Sequence, residues 1–582
     1  MERDDAQLVE EIVKTVNLEL KNQVNSKGLI GIDKPIAHLV SLLHQESKDV
    51  RVIGIWGMGG KEGTEAIRSI RINLSVISEL KLSPYIFTKM NKLHYLDIHG
   101  EHYPRRLECL PQGLQSFPTK LRYLRWMNYP LKSLPENFSA EKLVILDLTR
   151  SRLRKLWDGV QNLANLKEVI LYFSTYLEEL PDFSKATNLE VLDMYACEKL
   201  TNVHPYIFSL EKLRKIDLTN CCSITELRSD TDFTSPSDLK ITLSRCIKLR
   251  EFSVTSKNIT KLALQFTPIS ALPRCLETFT RLQYLDLEGC NKLQTLPELP
   301  SSLKVLYAGD CTSLKTIVFP SKSSEQFKEN NKTVEFWNCL KLDEDSLIAV
   351  ELNAQMNVKK FASQHLYALE NNPVENYDDY NDKYCSYQSR YMYPGSSLPD
   401  WLVYKTVEDY IIIDLSSAPP SSLLGFILCF IVVGDEKPFF GRRLQFNISV
   451  SDGDSEDEED DVKILTRISS RSIESDHVCV IYDQRCSCYL TRRAKNQSKF
   501  KIKATVWFKY EYECPGVDCQ RRVALKGFGV MPISISTNHN FIQQMELCDT
   551  NYISMPLNKW KRIALSIILS ISLLLFIMKF LI

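Results

Sequence analysis

The sequence lacks an excess of charge of either sign, because its 582 residues include 72 Lys and Arg and 72 Asp and Glu. Without a cationic excess nothing draws the chain to a phosphate backbone, so nucleic-acid binding is not expected. The first twenty residues carry too many charges for a secretory signal. The 17 cysteines are therefore expected to be reduced thiols, and the chain is expected on the cytoplasmic side of membranes. The hydrophobic share of 44% excludes a wholly disordered chain, a collagen and a simple coiled coil.

Catalytic constellations are also missing, since none of the nine histidines stands at an informative spacing from a nucleophile. The chain is therefore not expected to be an enzyme. A metal site is not expected either, because the close pairs Cys486/Cys488 and Cys514/Cys519 lack the paired spacing of a zinc ribbon.

A glycine-rich turn follows the apolar run at residues 50–56, as it does in a phosphate-binding loop. The required spacing, G-x-x-x-x-G-K-[ST], fails in two places. Position 55 is Ile55 instead of glycine, and Glu62 replaces the hydroxyl residue that binds Mg²⁺. We interpret this turn as a vestigial phosphate loop that does not bind nucleotide; its residues are Gly57, Gly59, Gly60 and Lys61.

The pattern L-x-x-L-x-L dominates the chain from about residue 90. The steps between successive first positions run from 20 to 28 residues. A period of ~20–29 residues with this pattern is typical of the leucine-rich repeat. The first positions are Leu93, Leu121, Leu143, Leu166, Leu189, Leu213, Ile259, Leu282 and Leu303, and Leu239 opens an irregular unit between the sixth and the seventh. The spacing predicts an α/β leucine-rich-repeat solenoid, a horseshoe, over residues 63–345.

Cysteines follow the repeats in register, three residues after the last apolar position of a unit. This slot of the template takes Asn or Cys and faces the interior, so we predict a row of buried thiols. The row consists of Cys197, Cys221, Cys246, Cys290, Cys311 and Cys339.

Beyond the repeats, the composition and the pattern of apolar residues change twice. Residues 346–390 are predicted to be a linker, because 376–383 is polar, acidic and rich in tyrosine. Residues 391–547 carry six apolar runs at the spacing of an all-β sandwich, of jelly-roll or Ig-like type. The acidic stretch 452–461 is expected to be a solvated hairpin tip. Residues 560–582 are predicted to be a transmembrane tail, a hydrophobic helix preceded by basic residues that would keep the rest of the chain in the cytosol.

The positions between the template leucines are expected to face solvent on the concave side of the solenoid. Tyrosine is enriched at protein interfaces, and a stripe of aspartates would favour a basic partner. The alternative is that Asp and Tyr are ordinary residues of soluble strands in this repeat. The candidate partner-binding residues are Tyr95, Asp97, Tyr123, Arg125, Asp147, Tyr172, Asp193, Tyr195, Asp217, Tyr284, Asp286 and Tyr307.

Several segments resemble plant intracellular immune receptors of the TIR–NB-ARC–LRR class. Residues 28–33 and 54–60 look like the start of that family's nucleotide-binding domain, and 63–70 like its segment just before the repeats. Residues 121–126 are similar to its early repeats, and 393–396 with 399–401 to its post-repeat domain. The resemblance implies defence signalling, with a pathogen effector or a guarded host protein as the ligand and ADP or ATP as the family's cofactor.

The sequence also differs from the pattern of this family, and these differences change the function that we expect. The chain is expected to lack the family's TIR domain, and two nucleotide-domain signatures that the family separates widely meet at residues 60–63. Residues 1–62 are therefore expected to be a remnant of the linker and of the start of NB-ARC, without a working nucleotide switch. We expect a recognition module that binds a protein, or a partner of a full-length immune receptor. The alternatives are a fragment that retains ADP/ATP binding, and a membrane-anchored scaffold or gene remnant.

Overall fold

The computed structural model describes most of the chain between residues 67 and 534. The N-terminal remnant with its phosphate loop, the acidic stretch 452–461 and the C-terminal tail lie outside the described residues. The described ranges are 67–73, 84–100, 113–229, 237–318, 332–371, 388–416, 423–435, 443–451, 462–468, 472–509 and 520–534, together with residues 82 and 110.

Within these ranges, twelve short strands pair in parallel, each with the strand of the next repeat. They are β1 (Ser69–Asn73), β2 (Tyr95–His99), β3 (Tyr123–Trp126), β4 (Ile145–Asp147), β5 (Glu168–Ile170), β6 (Val191–Asp193), β7 (Lys215–Asp217), β9 (Leu239–Thr242), β11 (Ile259–Ala263), β12 (Tyr284–Asp286), β14 (Val305–Tyr307) and β16 (Thr333–Glu335). Small pairs lie away from this sheet: β8 (Glu226–Arg228) with β10 (Glu251–Ser253), and β13 (Thr295–Leu296) with β15 (Thr316–Ile317). The predicted leucine-rich-repeat solenoid is confirmed.

The leucine spacing explains this architecture. Side chains alternate along a strand, so the second and third template positions, such as Leu96 and Ile98, point inward and are buried. The first position, such as Leu93, lies in the turn before the strand and packs into the same core. Because no repeat covers its own apolar face, the stacked repeats share one continuous core.

The return paths of the repeats carry less helix than the α/β expectation implies. The 3₁₀ helices Pro205–Ser209 and Leu276–Thr278 lie on these paths, and the rest of the described return segments is turn and extended chain. A return path of 3₁₀ helix and extended chain suffices to carry each repeat back, so the described solenoid is mostly β.

From the repeat of Trp126 onward, each repeat turns sharply two residues after its last template position, through a residue with positive φ. The backbone N–H of this residue donates to a carbonyl of the next repeat, for example from Phe173 to Tyr195 at 2.7 Å. The last such residue, Asn338, donates instead to Nε2 of His477. These residues therefore align in a row along the solenoid, which we call the rim row. Its members are Asn128, Arg150, Phe173, Ala196, Asn220, Arg245, Phe266, Gly289, Asp310 and Asn338.

The cysteine row lies buried in the solenoid, as predicted. Each thiol donates to the carbonyl of the last apolar residue one repeat earlier, at distances from 2.9 to 3.3 Å. Ser151, Ser174 and Thr267 fill the same slot in their repeats, and the hydroxyl of Ser174 makes the same bond to Leu148. The row therefore provides interior donors that satisfy buried carbonyls.

The solenoid sheet does not end at β16. Strand β17 (Gln388–Pro394) pairs with β16 in parallel, and antiparallel neighbours follow in the order β23 (His477–Asp483), β20 (Leu423–Val432), β26 (Leu525–Ser534) and β18 (Tyr404–Thr406). Among the described residues, this continuous sheet has 17 strands. A second, antiparallel sheet contains β19 (Tyr410–Asp414), β21 (Arg443–Ser451), β22 (Val462–Arg467), β24 (Lys499–Lys509) and β25 (Gln520–Val523).

Apolar side chains from these two antiparallel regions share a second core, which includes Phe430, Phe446 and Phe528. The 13-residue helix Gln484–Asn496 contributes Cys486 and Leu490 to this core. Asp483 caps the N-terminus of this helix by accepting a hydrogen bond from the backbone N–H of Cys486 at 2.9 Å.

The 28-residue helix α1 (Glu344–Asn371) lies largely within the segment that the sequence predicts to be a linker. The segment loses the leucine pattern, yet Val350, Ala354 and Val358 recur four apart and are buried, with Phe361 on the same face. This helix packs on β17, β20 and β23. Much of the expected linker is therefore part of the folded body. In the described part of the chain, no helix combines the length and the apolarity that a bilayer span requires.

Candidate protein-binding surface

The outward-facing residues of the parallel strands form the concave face. One row runs in register across the sheet: Arg71, Asp97, Arg125, Asp147, Ile170, Asp193, Asp217, Thr242, Ala263, Asp286, Tyr307 and Glu335. Acidic and basic side chains alternate at its N-terminal end, so neighbouring strands offset each other's charge.

Asp97 shows how closely this charge is compensated. Its carboxylate lies 3.1 Å from Arg71 Nε and 3.1 Å from His99 Nδ1, and it accepts a hydrogen bond from the hydroxyl of Tyr95. Asp97 is only 1% exposed. Burial and the neighbouring carboxylate raise the pKa of Tyr95 to about 12, so this tyrosine stays a neutral donor.

A similar pair of arginine and aspartate joins the next two strands, β3 and β4. Arg125 Nε lies 3.1 Å from the carboxylate of buried Asp147, and the rings of Tyr95 and Tyr123 stack with centroids 4.5 Å apart. Burial raises the pKa of Asp147, while hydrogen bonds from Thr149 and the charge of Arg125 oppose the rise. This end of the concave face is a packed polar layer.

In the centre of the face, Lys215 lies 2.9 Å from Asp193 and 4.0 Å from Asp217. The carboxylates of these two aspartates also accept hydrogen bonds from backbone N–H groups. Oδ1 of Asp193 accepts from the N–H of Tyr195, and Asp217 accepts from Thr219 in the same way. Such local bonds hold the chain as it leaves the strand.

Solvent exposure differs from the expectation for four of the twelve candidate residues. Asp97, Asp147, Asp286 and Tyr307 are buried, because ion pairs and neighbouring strands cover them. Seven others are half-buried, and Tyr172 is exposed. Much of the charge of the expected acidic stripe is neutralised by basic residues on adjacent strands. These findings favour a structural role for the three buried aspartates and leave Tyr172 as the most accessible of the candidates.

Tyr172 belongs to an exposed aromatic cluster at the edge of the concave face. It stacks on Tyr195 with centroids 4.7 Å apart, and Phe173 contacts both rings at 4.7 and 5.4 Å. Tyr172 is 37% exposed and Phe173 is 38% exposed. Aromatic rings of this kind are the anchors that dominate many protein interfaces. Phe173 was not predicted, because this residue follows the leucine template; its position in the rim row is the signal that identifies it.

At the C-terminal end, Tyr284 and Tyr307 contact each other edge to face at 5.9 Å. The hydroxyl of Tyr284 donates to Asp286, and the amine of Lys261 lies 4.5 Å from the centre of the Tyr284 ring. This end of the face is again internally paired. Within the described ranges, no three His, Cys, Asp or Glu side chains converge as ligands of a metal ion would.

The parallel sheet, the rim row and the cysteine row define a leucine-rich-repeat solenoid protein. Curated proteins to which it is similar include disease resistance proteins of Arabidopsis thaliana, which confirms the resemblance seen in the sequence. RPP2A is 34% identical over 256 residues, which cover 44% of this chain and 19% of the relative. RML1A is 36% identical over 245 residues, which cover 42% of this chain and 24% of the relative. RPS4B is 28% identical over 501 residues, which cover 72% of this chain and 41% of the relative.

The chain thus spans less than half the length of these relatives. No protein-family model matches the chain. Among solved structures, it is similar to the functional domain of InlJ from Listeria monocytogenes, which includes a cysteine ladder. That similarity has 17% identity and a TM-score of 0.22, and it covers 48% of this chain and 68% of the other.

Proposed function

We propose that the chain is a non-enzymatic recognition module that binds a protein through its solenoid. The observation that carries this proposal is the aromatic cluster at the edge of the parallel sheet, in which exposed Tyr172 and Phe173 contact half-buried Tyr195. Such rings supply a large contact area at a small cost in conformational entropy, because mutual contacts already hold them. The relation to disease resistance proteins supports a role in plant defence and signal transduction, with a pathogen effector or a guarded host protein as the ligand.

The test begins with capture of a partner by the full chain from plant membranes, followed by affinity measurement with the purified pair. Replacing Tyr172 and Tyr195 with alanine is expected to weaken binding by more than about tenfold, as loss of an interface anchor does. Tyr85→Ala is the matched control, since Tyr85 is exposed and lies outside the concave face. Equal affinity of the double variant and the control would contradict the proposed surface.

Charge reversal at Asp193 and Asp217 tests the second part of the surface. These two carboxylates are half-buried, whereas Asp147 is buried against Arg125. If a basic partner contacts them, Asp→Lys variants will weaken binding more than Asp→Asn variants, which keep the oxygen that accepts from the backbone. The same loss in both variants would indicate that the aspartates only hold the strand ends.

Part of the proposal concerns residues outside the described ranges. We infer from the broken spacing at Ile55 and Glu62 that the nucleotide switch is lost, so the chain acts as a sensor or as the partner of a full-length immune receptor. Micromolar ADP binding to the full chain by calorimetry would instead favour a fragment that retains nucleotide binding.

The tail at residues 560–582 is proposed to anchor the chain on the cytoplasmic side of an intracellular membrane. Its uncharged run and the basic residues before it support this proposal. Carbonate extraction of the full chain and of a chain lacking the tail tests the anchor, because only the full chain should stay with the membranes. Release of both would contradict it.

The β-rich region after the solenoid is proposed to be a jelly-roll or Ig-like sandwich that shares in binding. Its two antiparallel regions and their common core support this architecture. An experimental structure of the complex would contradict the shared role if the partner contacted only the solenoid.

A further inference from the structure

The rim row carries a pattern that repeats after four units. The first eight residues of the rim row form two consecutive sets of four. Each set consists of asparagine, arginine, phenylalanine and a small residue, in that order. Because each of these residues donates its backbone N–H to the following repeat, residues adjacent in this order are adjacent in space. The two sets are Asn128, Arg150, Phe173, Ala196 and Asn220, Arg245, Phe266, Gly289.

In both sets the arginine lies over the phenylalanine of the next repeat. The guanidinium carbon of Arg150 is 5.7 Å from the centre of the Phe173 ring, and that of Arg245 is 5.7 Å from the centre of the Phe266 ring. Both arginines are exposed, and Phe266 is 42% exposed. Stacking on a ring leaves the edge donors of a guanidinium free to bind a carboxylate. Among the residues that the structure describes, neither arginine has an ion-pair partner.

The small residue that follows provides space for the ring. A Cβ added at Gly289 would lie 2.4 Å from Cδ1 of Phe266, so the ring occupies the space of a side chain there. Ala196, next to Phe173, is buried. A bulky side chain in the left-handed region is strained, and φ is 59° at Phe173 and 57° at Phe266. The fold thus carries two exposed rings at positions where glycine or asparagine would be more relaxed.

The two arginine–phenylalanine pairs lie a fixed distance apart. Phe173 follows β5 and Phe266 follows β11, and β5, β6, β7, β9 and β11 are consecutive neighbours in the sheet. Four steps of about 4.8 Å place the pairs about 19 Å apart. An extended polypeptide covers that distance in about six residues.

We infer that the two pairs form a two-point docking site on the rim for one extended acidic segment of a partner protein. At each point a carboxylate binds the guanidinium and an adjacent apolar side chain packs on the phenylalanine ring. This inference rests on the proposed function and names the chemistry of the ligand. The charge of the two guanidinium groups selects an acidic segment of the partner, and their spacing selects an extended segment.

The test selects peptides of about twelve residues from a random displayed library on the full chain, since that length spans both pairs. The expected binders carry Asp or Glu beside an apolar residue at two positions about six residues apart. Affinity is then measured for Arg150→Glu, Arg245→Glu and both together. Each single variant is expected to weaken binding by about tenfold, and the double variant by roughly a hundredfold or more.

Arg250→Glu is the matched control, since Arg250 is exposed and lies outside the rim row. Circular dichroism will check that all variants fold. Binders without acidic residues, full affinity of the double variant, or dependence on only one arginine would each overturn the two-point site. So would failure to enrich any peptide. None of these results affects the tyrosine test of the proposed function, because that test uses the folded partner and different residues.

Discussion

Arg390 on β17 and Glu335 on β16 form an ion pair at the junction of the solenoid with the antiparallel strands. The Nε–Oε1 distance is 3.0 Å, and the side chains are 2% and 1% exposed. Trp337 also donates to Glu335, and Arg390 donates to Gln388 and to the hydroxyl of Tyr307. The buried charges are thus paired within a network that links the last repeats of the solenoid to β17.

Replacing Arg390 with methionine will leave the carboxylate of Glu335 buried without a counter-ion. We expect the free energy of unfolding to fall by about 3–5 kcal/mol, as is typical of a broken buried pair. Chemical denaturation of the full chain measures the change. Arg228→Met is the control, because the ion pairs that Arg228 makes with described residues are exposed, and such pairs contribute about 1 kcal/mol or less. The double variant Arg390→Met/Glu335→Leu should recover much of the loss, and no recovery would contradict the charge explanation.

His477 predicts a pH dependence of stability. Its Nε2 accepts from the backbone N–H of Asn338, and its Nδ1 donates to the carbonyl of Ser475, so the folded state holds the neutral ring. Burial lowers the pKa of His477 to about 4 from its usual 6.5, although the carbonyl of Ser475 and the charge of Asp476 oppose the shift. The unfolded chain gains this proton at a higher pH than the folded chain. The histidine therefore has no destabilising effect above about pH 6.5, and the free energy of unfolding falls as pH drops toward 4.

The expected loss from this one histidine is about 3 kcal/mol at the lower end of the window. Unfolding is measured from about pH 7 to about pH 4 in the wild-type chain and in His477→Gln, which does not titrate there. The difference in stability between the two chains should change by about that amount across the window. Parallel curves would show that His477 does not set the acid response.

The cysteine row should be inert to alkylation in the folded chain. Burial raises the pKa of Cys197, Cys246 and Cys290 to about 12, so the reactive thiolate is scarce at neutral pH. Cys222 is half-buried and should react with iodoacetamide faster than the row. Peptide mapping by mass spectrometry measures each site, with the denatured chain as the control in which all sites react. Labelling of the row at the rate of Cys222 would be incompatible with its interior placement.

The backbone conformation of Ala196, in the rim row, leads us to expect that replacing this residue with glycine stabilises the fold. Its φ of 58° is costly for alanine and relaxed for glycine. We expect Ala196→Gly to raise the free energy of unfolding by about 0.5–1 kcal/mol. The comparison is Asn220→Gly, where φ is 61° but asparagine already tolerates this region, so a smaller gain is expected. Thermal denaturation distinguishes the two, and an equal or larger gain at Asn220 would refute the conformational explanation.

The solenoid was predictable because its signal is repeated. A single leucine means little, but nine units in register define the strands and place Cys197 and its equivalents inside. The later strands were also visible, since runs such as the one that forms β24 alternate between buried and more exposed residues. The helix α1 was not recognised, because only a few spaced residues, from Val350 to Phe361, mark its buried face within a polar sequence.

The candidate site was only partly predictable. Alternation along a strand places Tyr95 and Asp97 on the outward side, but it does not reveal that Arg71 and His99 cover the carboxylate. That burial depends on which strands are neighbours and in which register. Phe173 was missed because its position is defined by backbone conformation, which the leucine template does not include.

The parallel pairing of β16 with β17 has a consequence for shortened forms of the protein. A β-sheet that simply stops presents open backbone donors and acceptors, which invite pairing with other molecules. Here β17 closes the last repeat, with the N–H of Phe336 bonded to the carbonyl of Met392 at 2.7 Å. A chain cut after β16 would therefore expose an edge strand with unpaired backbone donors and acceptors, and it would tend to assemble into filaments or aggregates.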